Sequence, residues 1–215
     1  MKIISIVCIT LIVLMGLAEL KHMKERKKIS NELFELLQTK KYKELYEKQS
    51  DLDVIKYIPE FNRYYICMNG ALIENNGPKI NEYFDKLTSI KLNDQQKKNV
   101  YMSGLQYFVA SHDTKRCRVC YNNLITLNMD KNSKQYLENI NDIIIQKKID
   151  KAEVKIDKLA ELLEVINTSE DNEKFIEEFL VSEIYKNKGN QKESFKYGNL
   201  AKEHLDLYIK ETSEI

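Results

Sequence analysis

Two cysteines separated by two residues, Cys117 and Cys120, form the sequence motif whose side chains could most readily do chemistry. On a helix both sulfur atoms would lie on one face, and His112 precedes them closely enough to suggest a metal site. A structural zinc site needs four ligands, however, and the sequence has no second cysteine pair of this kind. The motif therefore predicts buried or half-buried free thiols that have no metal or redox role.

The three histidines, His22, His112 and His204, are far apart in the sequence. His112 is followed by Asp113, and aspartate is a preferred N-cap residue of helices. We therefore interpret Asp113 as a cap and the histidines as exposed polar residues. The sequence also lacks a glycine-rich phosphate loop and the G-x-S-x-G and H-E-x-x-H motifs. These observations predict no metal, no cofactor and no enzymatic activity.

The composition indicates a helical protein that does not bind nucleic acid. Hydrophobic residues make up 43% of the 215 positions and charged residues 31%, with six glycines and two prolines, which argues against disorder and against an all-β fold. The net charge of +1 is unevenly distributed, because residues 21–28 alone carry +4. Since Lys2 and Glu19 cancel, residues 29–215 carry a net charge of −3. Affinity for nucleic acid rests on basic side chains that neutralise phosphates, so this weakly acidic body is poorly suited to bind it.

An apolar run of sixteen residues without a charge extends from Ile3 to Ala18. A spanning helix needs about 20 residues and a signal-peptide core fewer, so both an uncleaved anchor and a cleaved signal fit this run. The basic residues that follow favour an anchor with a cytoplasmic body, because Lys and Arg near a membrane segment tend to stay on that side. We predict a transmembrane anchor over residues 1–20 and a basic juxtamembrane segment over residues 21–30.

Beyond residue 30 the sequence predicts an all-α body of about four to five antiparallel helical hairpins. Turn-like clusters recur at intervals of roughly 36 to 40 residues, a period typical of helical repeats. These clusters are residues 39–41, 75–78, 111–113, 147–150 and 187–190. The breaks between them carry capping signals, which are Asn93 with Gln96, Asn132 with Gln135, and Thr168 with Ser169. Each unit is therefore a helix, a turn, a second helix and a linker.

The helix after each turn carries a stripe of apolar or small residues spaced by four and then three positions. The four stripes are Ile80, Phe84 and Leu87; Cys117, Tyr121 and Leu124; Ala152, Ile156 and Leu159; and Ser194, Gly198 and Ala201. The first helices also resemble one another, with Tyr101, Gly104, Leu105 and Phe108 in one and Val181, Ser182 and Tyr185 in another. We expect each stripe to pack against the partner helix and the next unit.

The segment FLVSEIYKNKGNQKESFKYGNLAKEHL, from Phe179 to Leu205, resembles the tetratricopeptide-repeat family. The family pattern has, in order, an apolar, a small, an aromatic, a glycine, a small, a bulky and a small position. In this segment the corresponding residues are Val181, Ser182, Tyr185, Gly189, Ser194, Tyr197 or Gly198, and Ala201. The resemblance covers about residues 31–207, but Ile80, Leu87 and Ile140 depart from the family pattern. A related helical-hairpin solenoid therefore also fits. Either fold implies a repeat domain over residues 31–211 with a concave surface for a protein or peptide.

A row of amides is predicted on that concave surface. If Ile80, Cys117 and Ala152 are equivalent, the positions eleven residues earlier all carry amide side chains. In repeat stacks of this kind the first helices line the concave face, so these amides could hold the backbone of an extended peptide beside apolar contacts. The predicted peptide-binding residues are Asn69, Gln106, Asn141, Tyr65, Met102 and Leu137.

Together these features predict a membrane-tethered, non-enzymatic module that binds a protein or peptide partner, as an adaptor, assembly factor or chaperone-like protein would. Its second predicted partner is the lipid bilayer, through residues 3–20. Two alternatives also fit the sequence. One is an exported helical-repeat protein that recognises an extracellular ligand, and the other is an enzyme whose unrecognised site lies in the concave groove.

Overall fold

The structure, a computed structural model, describes the backbone of residues 2–148 and 152–213 and the side chains of residues 19–148 and 155–210. Every regular element in these ranges is helical, which confirms the all-α prediction. The predicted anchor, residues 1–20, lies almost entirely outside the described side chains. Within the part of the chain that was described, no helix combines the length and the apolar character needed to cross a bilayer.

The described residues form eleven α-helices and one π-helical turn. They are α1 (Lys2–Gln38), α2 (Tyr42–Lys48), α3 (Leu52–Tyr57), α4 (Glu60–Glu74), α5 (Gly77–Ser89), α6 (Asp94–Ala110), α7 (Thr114–Leu124), α8 (Lys131–Ile140), the π-helical turn (Asn141–Ile145), α9 (Ala152–Thr168), α10 (Phe175–Asn187) and α11 (Gln191–Ser213). They cluster into two compact units, residues 1–100 and 101–215. The domain boundaries proposed from the sequence stay predictions.

In each of the five predicted turns, the described residues include one with a left-handed backbone. The φ angles are 58° at Lys40, 54° at Asn75, 57° at His112, 45° at Lys147 and 76° at Gly189. The backbone amide of Gly189 donates to the carbonyl of Lys186 at 3.0 Å, and the amide of Asn190 donates to the carbonyl of Tyr185 at 2.9 Å. This is the pattern of a Schellman motif, which satisfies the last free carbonyls of a helix. The five turn positions predicted from the sequence are confirmed.

An N-cap directly follows the left-handed residue in three of these turns. The side-chain oxygen of Asp113 accepts from the amide of Arg116 at 3.0 Å, and Asn76 and Asn190 cap α5 and α11 in the same way. The backbone amide of Arg116, helped by its guanidinium, lowers the pKa of Asp113. Asp113 is therefore a cap, as its position predicted. In each of these three turns the left-handed residue ends one helix, and the residue after it caps the next helix.

The predicted capping box before α6 is confirmed. Asn93 Oδ1 accepts from the amide of Gln96 at 2.9 Å, and Gln96 Oε1 accepts from the amide of Asn93 at 3.0 Å. The predicted cap at Asn132 is wrong, because the carboxylate of Asp130 lies two residues earlier and accepts from both the amide and the hydroxyl of Ser133. Helix α8 therefore begins at the stronger, charged cap.

The last predicted capping signal, Thr168 with Ser169, marks a break but caps no helix that follows. Thr168 is the final residue of α9, and its hydroxyl donates to the carbonyl of Glu164 at 3.1 Å. Helix α10 begins six residues after Ser169, at Phe175, without a side-chain cap. The capping prediction at this site is therefore wrong, because the threonine hydroxyl bonds backwards within its own helix.

The predicted stripes are correct in α5 and α7 but not in α9. Ile80, Phe84 and Leu87 are buried, as are Cys117 and Leu124 of the next stripe. In α9, by contrast, Ile156 is 59% exposed, and among the described side chains of this helix Leu162 and Ile166 are buried. Leu162 and Ile166 are also spaced by four, so α9 carries more than one row of apolar residues, and spacing alone does not identify the row that is buried.

The hairpin of α10 and α11 is held together by small residues. A Cβ atom added at Gly198 would lie 3.2 Å from Ser182 Oγ, and that hydroxyl donates to the carbonyl of Ser194 at 2.7 Å. Ala201 is only 7% exposed, so it faces the neighbouring helix as predicted. A larger side chain at either position would separate the two helices, which is why the small residues of this stripe allow close packing.

Candidate peptide-binding groove

An open groove lies within the second unit, between α6, α8, α10 and α11. It encloses about 1150 Å³, including the space at its open mouth. Its apolar walls are formed by Val109 of α6, Phe175, Ile176 and Phe179 of α10, and Leu205 of α11. An open groove of this kind accommodates an apolar segment laid along the surface better than it accommodates an enclosed small molecule.

The helical period explains why these side chains converge. Phe175, Ile176 and Phe179 are at positions i, i+1 and i+4 of α10, which places them on one side of the helix. On α11, Gly198 and Ala201 present little side-chain volume to the same space. The bulky residues of one helix and the small residues of the next therefore create the depth of the groove.

Three polar side chains also line the groove, namely Gln106, Tyr136 and Lys202. Tyr136 is half-buried, and its pKa is raised to about 12, chiefly by burial and further by Cys117 and Glu177. Its hydroxyl therefore remains protonated near neutral pH and can both donate and accept a hydrogen bond. The amide of Gln106 and the ammonium of Lys202 are exposed to solvent. These groups could orient the polar backbone of an apolar ligand.

A buried carboxylate–imidazole pair joins α10 to α11 beside the groove. His204 Nδ1 lies 2.7 Å from Glu178 Oε2, and the two side chains are 14% and 2% exposed. The prediction that all histidines are exposed is therefore wrong for His204. A sequence signal was present, because His204 lies three residues after Ala201 and Glu178 lies four residues before Ser182. Both therefore continue the faces along which the two helices pack.

The other histidines and the cysteines lie as predicted. His22 and His112 are exposed, and His112 Nδ1 is 3.9 Å from Glu183 Oε2. Cys117 and Cys120 are buried free thiols, and burial raises the pKa of both, to about 11 for Cys117. These thiols are therefore protonated and unreactive. In the described ranges, no three His, Cys, Asp or Glu residues form a group that could hold a metal ion.

The six residues of the predicted peptide site have different environments. Gln106 is exposed and lines the groove, and Met102 of the same helix is half-buried. Asn141 is half-buried at the π-helical turn, where its amide contacts Asp142 Oδ1 at 3.3 Å and Gln146 Nε2 at 3.4 Å. Leu137 has no exposed surface and belongs to the core of the second unit. Of the six, only Gln106 therefore lies at the groove described above.

The remaining two predicted residues belong to the first unit. Tyr65 and Asn69 are half-buried on α4, and the ring of Tyr65 stacks on that of Phe61 with centroids 5.3 Å apart. The amide row as a binding site stays a prediction. What the sequence interpretation missed is the pair of aromatic residues on α10, Phe175 and Phe179, although their spacing of four is a visible signal.

No family of known proteins, no curated protein and no solved structure matches this chain. The resemblance to tetratricopeptide repeats therefore rests on the residues of this sequence and on its hairpin turns.

Proposed function

We propose that this protein is a non-enzymatic, membrane-tethered module that binds an apolar peptide segment of a partner protein in the groove of its second unit. The main support is the groove itself, which presents Phe175, Ile176 and Phe179 to solvent-accessible space. Interface centres are enriched in aromatic side chains, and a few well-packed residues carry most of the binding energy of an interface. The tetratricopeptide-like hairpins support the same conclusion.

The polar groups of the groove favour a peptide over a purely apolar ligand. The Tyr136 hydroxyl and the Gln106 amide each offer a donor and an acceptor, which matches the alternating groups of a peptide backbone. Both lie on helices whose caps and turns are fixed by hydrogen bonds, so the ligand would meet a preorganised surface. An amphipathic segment would place its apolar side chains on the walls and its backbone near these two residues.

Two variants with matched exposure test the groove. Ile176, on its wall, and Val165, on α9 away from it, are each 38% exposed. Peptides selected by phage display on the full chain should bind Ile176→Asp at least about tenfold more weakly, because a carboxylate would be desolvated against an apolar ligand. The Val165→Asp variant should bind as wild type. Equal affinity of Ile176→Asp and wild type for every selected peptide would exclude this groove as the binding site.

The membrane tether is the second part of the proposal and rests on the sequence. The run from Ile3 to Ala18 has no charge, and five basic residues follow it within residues 21–28. Helix α1 is continuous from Lys2 to Gln38, so no linker separates the apolar run from the first unit. We propose that residues 1–20 remain in the mature protein as an anchor and that the body is cytoplasmic.

Alkaline carbonate extraction tests the tether. The full chain should remain in the membrane pellet with the 25.4 kDa mass of the uncleaved protein. Carbonate releases proteins that are bound only peripherally, whereas a spanning helix keeps the protein in the bilayer. Mass spectrometry of the extracted protein provides the measurement. A soluble product that begins near Glu19 would instead support the exported alternative.

A further inference from the structure

The carboxyl-terminal end of α3, in the first unit, lies close to the end of the apolar run. The imidazole of His22 contacts the ring of Tyr57, with centroids 4.9 Å apart, so the carboxyl-terminal end of α3 packs against α1 at this level. His22 follows Ala18 by four residues, which corresponds to roughly 6 Å along the helix axis. If residues 1–20 are the anchor, Tyr57 must therefore lie within the headgroup layer of the bilayer.

The exposed side chains at this end of α3 are suited to a lipid surface. Val54 is buried against the unit, whereas Ile55 is 49% exposed and Lys56 is exposed. The Lys56 ammonium lies 5.0 Å from the centroid of the Tyr57 ring. Lysine and tyrosine populate membrane interfaces because each combines an apolar body with a polar end. The aliphatic side chain of Ile55 beside them could enter the boundary between the headgroups and the acyl chains.

Two acidic residues lie at the opposite end of α3. Asp51 precedes the helix and Asp53 lies in its first turn, and Asp51 interacts with Lys48, whose ammonium is 2.9 Å from Glu32 Oε2. Glu32 is fourteen residues beyond Ala18, or roughly 21 Å along α1. Asp51 is therefore further from the end of the apolar run than Tyr57 is. Nearer to that end, Glu25 is already included in the +4 of residues 21–28, and Glu60, three residues after Tyr57, offsets Lys56, so the net charge there stays positive.

We propose that the carboxyl-terminal end of α3, residues 55–57, docks together with the basic residues 21–28 on an anionic lipid surface. This contact would be a second attachment of the first unit to the membrane, and it rests on the proposed anchor. Apolar insertion and attraction between basic residues and anionic headgroups act together in such contacts. Because α3 is packed against α1 and α1 has no break, the first unit would be held directly on the bilayer.

A control position lies at the other end of the same unit. A Cβ atom added at Gly70 of α4 would lie 3.5 Å from Leu37 Cδ1, so α4 is packed against α1 at the level of Leu37. Leu37 is fifteen residues beyond His22, or roughly 22 Å further along α1. Ile73, three residues after Gly70, is 60% exposed. Ile73 therefore resembles Ile55 in type and exposure but lies far from the end of the apolar run.

The absence of tryptophan from the sequence makes a direct measurement simple. Ile55→Trp and Ile73→Trp would each introduce a single fluorophore into the full chain, reconstituted in bilayers of anionic phospholipid with brominated acyl chains. Bromine quenches tryptophan only at short range. The fluorescence of Ile55→Trp should fall at least about twofold relative to unbrominated lipid, as expected for a side chain at the interface. The fluorescence of Ile73→Trp should not change.

Each result distinguishes the two proposals. If carbonate extraction shows the chain to be embedded while Ile55→Trp is not quenched, the docking of α3 is wrong and the anchor stands. If the chain is not embedded, both are wrong. A zwitterionic brominated lipid tests the role of charge, since quenching of Ile55→Trp should then decrease, and equal quenching in both lipids would contradict the anionic surface. Circular dichroism of both variants should match wild type.

Discussion

Replacing His204 with alanine is expected to reduce the free energy of unfolding by about 1 to 3 kcal/mol, the usual cost of leaving a buried polar group without its hydrogen-bond partner. Glu178 is only 2% exposed, and its Oε2 atom lies 2.7 Å from His204 Nδ1. Without the imidazole, the carboxylate would stay buried without its partner on α11. Because this pair joins α10 to α11, and both helices form walls of the groove, the variant should also lose peptide binding.

The double variant Glu178→Leu with His204→Leu is the matched control. It removes both polar groups and fills similar volume, a change that is often neutral or stabilising when a buried pair is replaced. Urea denaturation of the full chain in detergent, followed by circular dichroism, measures both variants. We expect the double variant to be clearly more stable than His204→Ala. Similar losses in the two variants would show that the packing of these side chains, rather than their pairing, stabilises the hairpin.

The turns were predictable because every residue that forms them is close in sequence. Asn75 and Asn76, for example, are adjacent, and one adopts the left-handed conformation while the other caps α5. Asparagine is favoured in both roles, so the pair is recognisable without any tertiary information. The same reasoning applies to Asn93 and Gln96, which cap each other within four residues.

The register of the later helices was not predictable in this way. A helix that continues as a π-helical turn over Asn141–Ile145 has no clear sequence signature, and the count of eleven residues from Ala152 back to Asn141 runs through this turn. Ile156 was assigned to a buried face, although it is 59% exposed, because α9 also carries a second row with Leu162 and Ile166 at the same spacing. Leu137, beside the predicted amide row, was assigned to a binding surface although it is fully buried.

The groove itself depends on contacts between residues distant in sequence. Val109 and Leu205, which line the same space, are 96 residues apart, and periodicity within one helix cannot bring them together. The pair of Glu178 and His204 was missed for a related reason. A charged residue on a packing face resembles an exposed residue until its partner is known, since charged groups are rarely buried without one.

Replacing Leu137 with alanine is expected to lower the free energy of unfolding by about 2 to 5 kcal/mol, because a fully buried leucine loses its transfer energy and leaves a cavity. Gln106→Ala is the control from the same predicted site, and it should change stability by no more than about 0.5 kcal/mol because its side chain is exposed. Urea denaturation of the two full-length variants measures this difference.

The same two variants separate a core role from a binding role. Gln106 lines the groove, so Gln106→Ala should weaken the binding of selected peptides without affecting folding. Leu137→Ala should weaken binding only at urea concentrations or temperatures at which the second unit begins to unfold. If Leu137→Ala were as stable as wild type and yet bound peptide poorly, Leu137 would contact the ligand directly. That result would support the binding surface predicted from the amide row over the groove between α6, α8, α10 and α11.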